Sequence, residues 1–344
     1  MKLLVSAIES SANLHLKSLL SYLPSYKLLG IFDSNLDSGG IDLQREAIMG
    51  FKDAIKKLPF FYKLANLMVD YSFEADKVLL IDSSGFNLPL AKKIKRANPK
   101  VEINYYILPQ AWAWRRGRVY SLSKYCDNLL SILPFEKEIY PKEANIKYVG
   151  HPLLDQIKEY KDSTAKEPNT ILFMPGSRKS EIRYLMPIFK EVAKKIGKRA
   201  LLAIPPHLKN SLSLYGDISG FEIFYNSQEA LKEADFAFIC SGTATLEAAI
   251  MGTPFILAYK AKPIDYFIGK HLIKLNYIGL ANIFFEKMQR EPMHPELIQE
   301  EVTASNLLEE FKRFNFDNFV ANSKILREYL KEGSAKNVAS ILLS

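Results

Sequence analysis

Asp82 follows the apolar run Lys77-Val78-Leu79-Leu80-Ile81 and precedes Ser83-Ser84-Gly85-Phe86-Asn87. Such a run reads as a buried parallel strand, and a side chain at its carboxyl end belongs to the crevice where open α/β sheets bind ligands. A lone carboxylate there suits a general base that takes a proton from an acceptor hydroxyl; the alternative is a simple cap on the next helix. Two further stretches carry a strand into a helix: Met174-Pro175-Gly176-Ser177-Arg178 and Cys240-Ser241-Gly242-Thr243-Ala244-Thr245-Leu246-Glu247. Backbone N–H groups and the positive end of a helix dipole converge at such a junction, which favours an anion. Gly176 permits close backbone approach, and Arg178 offers a bidentate fork to phosphate. Two helix N-termini could then share one diphosphate, with Glu247 accepting both hydroxyl hydrogens of a ribose diol. The blander alternatives are an ordinary turn capped by Ser177 and a solvent-facing Glu247.

The loop Leu108-Pro109-Gln110-Ala111-Trp112-Ala113-Trp114-Arg115 follows the next apolar strand and brings together an aromatic pair and a cation. His151, in Val149-Gly150-His151-Pro152, lies at the end of the sixth strand, where it could hydrogen-bond a sugar or phosphate or serve as a hinge residue. The sequence has no Asp-x-Asp, His-x-x-x-His or Cys-x-x-Cys, so the usual metal ligand sets are missing. Neither a Walker loop nor a Gly-x-Gly-x-x-Gly fingerprint is present. The reading is therefore one without metal or cofactor, in which Arg178, the helix ends and Lys260 or Lys262 stabilise a leaving diphosphate.

These residues need a scaffold, and the chain of 344 residues supplies one. Apolar strands alternate with helix-period segments, as in βαβ units, and the length suits two domains of roughly 150 residues each. The expected architecture is α/β, with two Rossmann-like doubly wound domains facing each other across a cleft. Residues 1–158 would form the first, 159–315 the second, with a lysine-rich linker from Glu159 to Asn169, and 316–344 a terminal helix able to return to the first. Two separated cysteines, Cys126 and Cys240, indicate buried thiols in a reducing compartment. No stretch approaches the roughly 18 apolar residues of a membrane span. Residues 48–72 mix aromatics with lysines around Pro59, which suits a lipid interface or an acyl-chain pocket; a core-facing helix pair is the alternative. The net charge of +8 favours an anionic ligand or membrane surface, while dispersed lysines argue against nucleic acid. A cytoplasmic protein, attached to a membrane only at its surface, is expected; a homo-oligomer is left open.

Taken in order, the segments resemble the lipid-A-disaccharide synthases, inverting glycosyltransferases of GT-B fold. The resemblance runs from the first strand to about residue 301 and rests on Glu9-Ser10-Ser11, Ile48-Met49-Gly50, Ile81-Asp82 with Phe86-Asn87, Trp112-Ala113-Trp114-Arg115, Leu133-Pro134-Phe135-Glu136-Lys137, Gly150-His151-Pro152, Pro175-Gly176-Ser177-Arg178, Ser241 to Glu247, Tyr259 with Lys262-Pro263, Asn282, and Pro295-Glu296-Leu297-Ile298-Gln299. It implies transfer of 2,3-diacylglucosamine from UDP-2,3-diacylglucosamine to 2,3-diacylglucosamine 1-phosphate (lipid X). The products would be the β-1,6 disaccharide 1-phosphate of lipid A biosynthesis and UDP, formed at the cytoplasmic face of a bacterial inner membrane. It implies Asp82 as the motif aspartate, Arg178 on the diphosphate, and Glu9 as the acidic residue after the first strand. Nucleotide contacts would come from Ser241, Gly242, Thr243, Glu247, Asn282, Glu296 and Gln299. The sequence departs from the family pattern where Asn13 replaces an aspartate, Gly85 a second aspartate, and Ala281 a proline. The competing reading is a UDP-sugar 2-epimerase or another GT-B UDP-sugar glycosyltransferase, which would share the Gly-His-Pro turn and the Ser-Gly helix start.

Overall fold

A computed structural model describes residues 1–43, 58–261 and 275–344. The motif Ile48-Met49-Gly50, the first part of the 48–72 segment and Lys262-Pro263 lie outside the described residues. The chain divides into two compact units: Met1–Asp155 with Leu330–Ser344, and Gln156–Tyr329.

The first unit holds a parallel sheet of β1 (Lys2–Ser6), β2 (Lys27–Ile31), β3 (Gly40–Ile41), β4 (Lys77–Ile81), β5 (Glu102–Tyr106), β6 (Asn128–Ser131) and β7 (Ile146–Tyr148), in the order β3-β2-β1-β4-β5-β6-β7. Strands β1 and β4 bury the apolar runs Leu3–Val5 and Val78–Ile81 because both faces are covered, as in a doubly wound fold. The helices described here are α1 (Ser10–Leu20), α2 (Leu58–Tyr71), α3 (Ser84–Ala97), α4 (Arg118–Tyr125) and the short α5 (Pro152–Gln156). Pro59 lies within the described part of α2 (Leu58–Tyr71).

The second unit repeats the plan with β8 (Thr170–Met174), β9 (Arg199–Ala203), β10 (Glu222–Phe224), β11 (Phe236–Cys240), β12 (Phe255–Tyr259) and β13 (Glu296–Ile298), ordered β10-β9-β8-β11-β12-β13. Its helices include α6 (Lys179–Ile196), α7 (Ser227–Glu233), α8 (Thr243–Met251), α9 (Leu280–Lys287), α10 (Ala304–Arg313) and α11 (Phe319–Leu330). Helix α6 buries Ile182, Leu185, Met186, Phe189 and Val192, one stripe at helical spacing, and stops at Gly197 in the left-handed conformation. The lysine-rich stretch after Glu159 is pinned to this unit, since Lys161 N donates to Met251 O at 2.7 Å.

The end of the chain is two helices, not one. Helix α11 falls in the second unit up to Tyr329, and only α12 (Ser334–Leu343) packs in the first, against α1. Asp155 receives hydrogen bonds from Gly333 N at 2.6 Å and Ala335 N at 3.0 Å, which caps the start of α12.

Candidate active site

Both sheets begin in their middle: strand order reverses between β1 and β4 in one and between β8 and β11 in the other. A doubly wound sheet opens a crevice at such a switch point, where the flanking helices leave in opposite directions. Glu9 follows β1 and Asp82 follows β4; Arg178 follows β8 and Ser241 follows β11. The topology thus places each pair of candidate residues at its unit's own crevice.

In the first unit Asp82 and Ser83 have φ of +50° and +43°, two consecutive non-glycine residues in the left-handed region. Each such residue costs about 1–3 kcal/mol and persists only where its surroundings hold it in place. Here they do. The Asp82 carbonyl accepts from Tyr105 Oη at 2.7 Å and Asn87 Nδ2 at 2.9 Å, and Asp82 N donates to Tyr106 O at 2.9 Å. Fully buried Asn87 also donates to Ile81 O at 3.1 Å and accepts from Ser6 Oγ at 2.6 Å. Burial raises the pKa of the half-buried Asp82 carboxyl, and the charge of Glu9 raises it further, against the opposing hydrogen bond from Ser83. A carboxylate made more basic by its setting is suited to accept a proton. Glu9 is exposed and accepts from Ser83 Oγ at 3.3 Å. Asn13 has a fold-making task that a carboxylate could not perform: its amide donates to Ala7 O and Glu9 O while its oxygen accepts from Asp33 N.

Trp114 is 37 % exposed, with the guanidinium of Arg115 at 4.6 Å and that of Arg118 at 5.1 Å from its ring. Arg118 Nη1 donates to Ser84 Oγ at 3.0 Å, which ties this loop to the one bearing Asp82. The sequence reading passed over Arg118, although its place four residues after Trp114 was a visible signal.

His151 is 4 % exposed, and burial lowers its pKa to about 3. Its N–H donates to Lys331 O, and a Cβ on the preceding Gly150 would lie 3.0 Å from Glu332 O. The Gly-His-Pro turn therefore receives the returning chain.

In the second unit a cleft of about 580 Å³ brings together Gly176, Ser177, Arg178, Ser241, Gly242, Thr243 and Glu247. Gly242 has φ +155° and ψ −168°, a region open only to glycine, with open space where a Cβ would stand. Burial raises the pKa of Glu247, and Ser227 Oγ donates to its Oε2 at 3.0 Å. At the start of α6 the expected anion seat is partly occupied: buried Glu181 accepts from Ser177 N at 3.2 Å, Arg178 N at 3.1 Å and Arg178 Nη1 at 2.9 Å. The start of α8 carries no such side-chain cap.

Asn282, Glu296 and Gln299 form a separate constellation. Asn282 is fully buried; its oxygen accepts from Met293 N and His294 N, and its amide donates to His294 O and Glu296 Oε1. Glu296 also accepts from Ile278 N and Gly279 N at the start of α9. Gln299 pairs with both backbone groups of Ala261. Asn282 thus meets its hydrogen-bond partners within the fold. Among the described residues no cluster of His, Cys, Asp or Glu has the makings of a metal site.

Helices α2 and α3 flank an apolar groove of about 700 Å³ whose lining includes Phe61, Phe86, Pro89 and Leu90, with Lys63 and Lys93. Tyr62 and Leu67 lie exposed on α2. No helix among the described residues is long and apolar enough to cross a membrane.

A family model described as lipid-A-disaccharide synthetase matches residues 3–340. A lipid-A-disaccharide synthase of Helicobacter acinonychis is 48% identical over 98% of this chain and 97% of its own length. One of Campylobacter jejuni is 46% identical, covering 98% of both. Among solved structures, MurG of Acinetobacter baumannii has a TM-score of 0.59 at 13% identity, over 99% of this chain and 98% of its own. The UDP-GlcNAc 2-epimerase of Neisseria meningitidis, bound to UDP-GlcNAc, has 0.61 at 12% identity over the full length of both. At that identity these structures bear on the fold alone, two parallel-sheet α/β domains of GT-B type.

Proposed function

We infer the reaction from the family: the chain belongs to the lipid-A-disaccharide synthases, and on that premise it joins two acylated glucosamines. The donor is UDP-2,3-diacylglucosamine and the acceptor is 2,3-diacylglucosamine 1-phosphate. The acceptor's 6-hydroxyl oxygen attacks the donor's anomeric carbon, its proton passes to Asp82, and the bond from that carbon to the diphosphate oxygen breaks. The β-1,6 disaccharide 1-phosphate and UDP result. Charge on the leaving diphosphate is met by Arg178 and the N–H groups that open α8, while Glu247 receives the ribose hydroxyls.

The gathering of Arg178, Ser241, Gly242, Thr243 and Glu247 in one cleft carries this reading. Glu9 assists Asp82 through its charge, and Trp114 with Arg115 provides an aromatic and cationic surface for the acceptor. The apolar groove between α2 and α3 has the lining that acyl chains require, and the lysines at Lys63 and Lys93 suit an anionic lipid surface. On this reading the protein works at the cytoplasmic face of the inner membrane. The second reading, UDP-sugar 2-epimerisation, draws on the shared fold alone. Arg178→Ala should lower turnover at least about a hundredfold, as loss of a charge-stabilising donor does; turnover within threefold of wild type removes Arg178 from the role.

A further inference from the structure

Glu181 belongs to no motif considered above, yet it organises the phosphate side of the cleft. Its side chain is 9 % exposed while that of its ion-pair partner Arg178 is 77 % exposed. The carboxylate thus sits beneath the loop, and the guanidinium reaches outward. One carboxylate oxygen holds two consecutive N–H groups of the loop and the other holds one edge of the guanidinium. Gly176 keeps this arrangement possible, since a Cβ there would lie 2.4 Å from Glu181 Oε2. An internal carboxylate in that place has two consequences. It takes two loop N–H donors that a diphosphate would otherwise use, and it restrains one edge of a long, entropically costly side chain.

We propose that Glu181 is the positioning residue of the diphosphate subsite: it clamps Arg178 so that the outer edge of the guanidinium, with the N-terminus of α8, receives the nucleotide's diphosphate. Glu181 touches no substrate and acts only through Arg178. The inference rests on the reaction proposed above and adds a residue to it.

Saturation-transfer NMR of UDP titrated into the full chain tests it. Glu181→Gln keeps an oxygen for the two backbone N–H groups but cannot form the ion pair, so UDP should bind at least about tenfold more weakly, the scale of loss for a misaligned group. In an Arg178→Ala background the same change should alter affinity by less than about twofold, because contacts that act through one another do not add. Should Glu181→Gln fail to fold, Glu181→Asp keeps the charge, shortens the reach by one methylene and carries the same expectations. Affinity of the Glu181 variant within twofold of wild type overturns the proposal, as does an undiminished penalty in the Arg178→Ala background. Wild type that binds no UDP overturns the reaction and this inference with it; wild type that binds UDP beside an equally tight Glu181 variant overturns this inference alone.

Discussion

Ser83 Oγ donates to Glu9 Oε1 across 3.3 Å, linking the loops that follow β1 and β4, the two strands at which the first sheet reverses its order. The bond keeps a second negative charge beside Asp82, and with burial that charge makes the Asp82 carboxylate more basic. An ionised base is the active form, so turnover should rise with pH through the raised pKa of Asp82. Glu9→Gln removes one cause of the elevation and should move the acidic limb of the kcat/KM profile to lower pH. An unmoved limb would separate Glu9 from the base.

Asp82 also couples activity against stability. A carboxyl whose pKa is raised on folding contributes stability at low pH that is lost as pH rises through the folded value, so at neutral pH the ionised side chain weakens the fold. Asn removes the charge and tolerates the left-handed backbone, whereas Ala loses that tolerance. Asp82→Asn should melt higher than wild type at pH 8, Asp82→Ala should melt lower, and both should lose at least about a hundredfold in turnover. Equal melting temperatures for the two variants would contradict this account.

Glu136 supplies a second pH dependence of the same sign. Buried beside Ser131, which donates to it, its carboxyl is pushed up to about 8, with its Oε1 left unpartnered. Its stabilising contribution is complete below the ordinary glutamate range and disappears as pH rises toward 8. Urea unfolding at pH 5 and pH 9 should show wild type losing more stability over that interval than Glu136→Gln. A variant that follows wild type at both pH values would refute it.

Much of this was visible in the sequence, for reasons that lie in particular residues. Strand segments such as Val78–Ile81 and Ile171–Met174 have both faces buried and read as unbroken apolar runs. Strands β3 and β13, of two and three residues, are too short to leave a pattern and exist because a neighbouring strand pairs with them. Arg178 was legible as a candidate phosphate ligand, but its ion pair with Glu181 was not, although Glu181 stands three residues later in the spacing of a capping box. The partners of Asn282, which are Met293, His294 and Glu296, meet it only through tertiary folding and left no signal in the sequence. The same holds for the backbone of His151, whose partner is Lys331.

Asn282→Ala should therefore act on the fold. Removing an amide that satisfies two N–H groups and a carbonyl leaves buried polar groups unpaired, at about 1–3 kcal/mol each. Urea titration should show that loss, with UDP affinity changing only as far as the folded fraction does. A large fall in affinity with unchanged stability would restore Asn282 to the nucleotide.

For the proposed attachment to a lipid surface, Phe60 and Phe61 are half-buried against the first core and poorly suited as probes, whereas Tyr62 and Leu67 are exposed on α2. Replacing both with Ser should reduce partitioning onto anionic vesicles roughly tenfold, given the apolar surface removed, with unchanged melting. Undiminished partitioning would assign this face of α2 another task.

The most direct measurement follows product formation by the purified chain supplied with UDP-2,3-diacylglucosamine in detergent, with and without 2,3-diacylglucosamine 1-phosphate, in the presence of EDTA. UDP and the β-1,6 disaccharide 1-phosphate should appear in equal amounts and only when the acceptor is present. UDP release that ignores the acceptor, turnover that EDTA abolishes, or conversion of a UDP-sugar to its 2-epimer would contradict it.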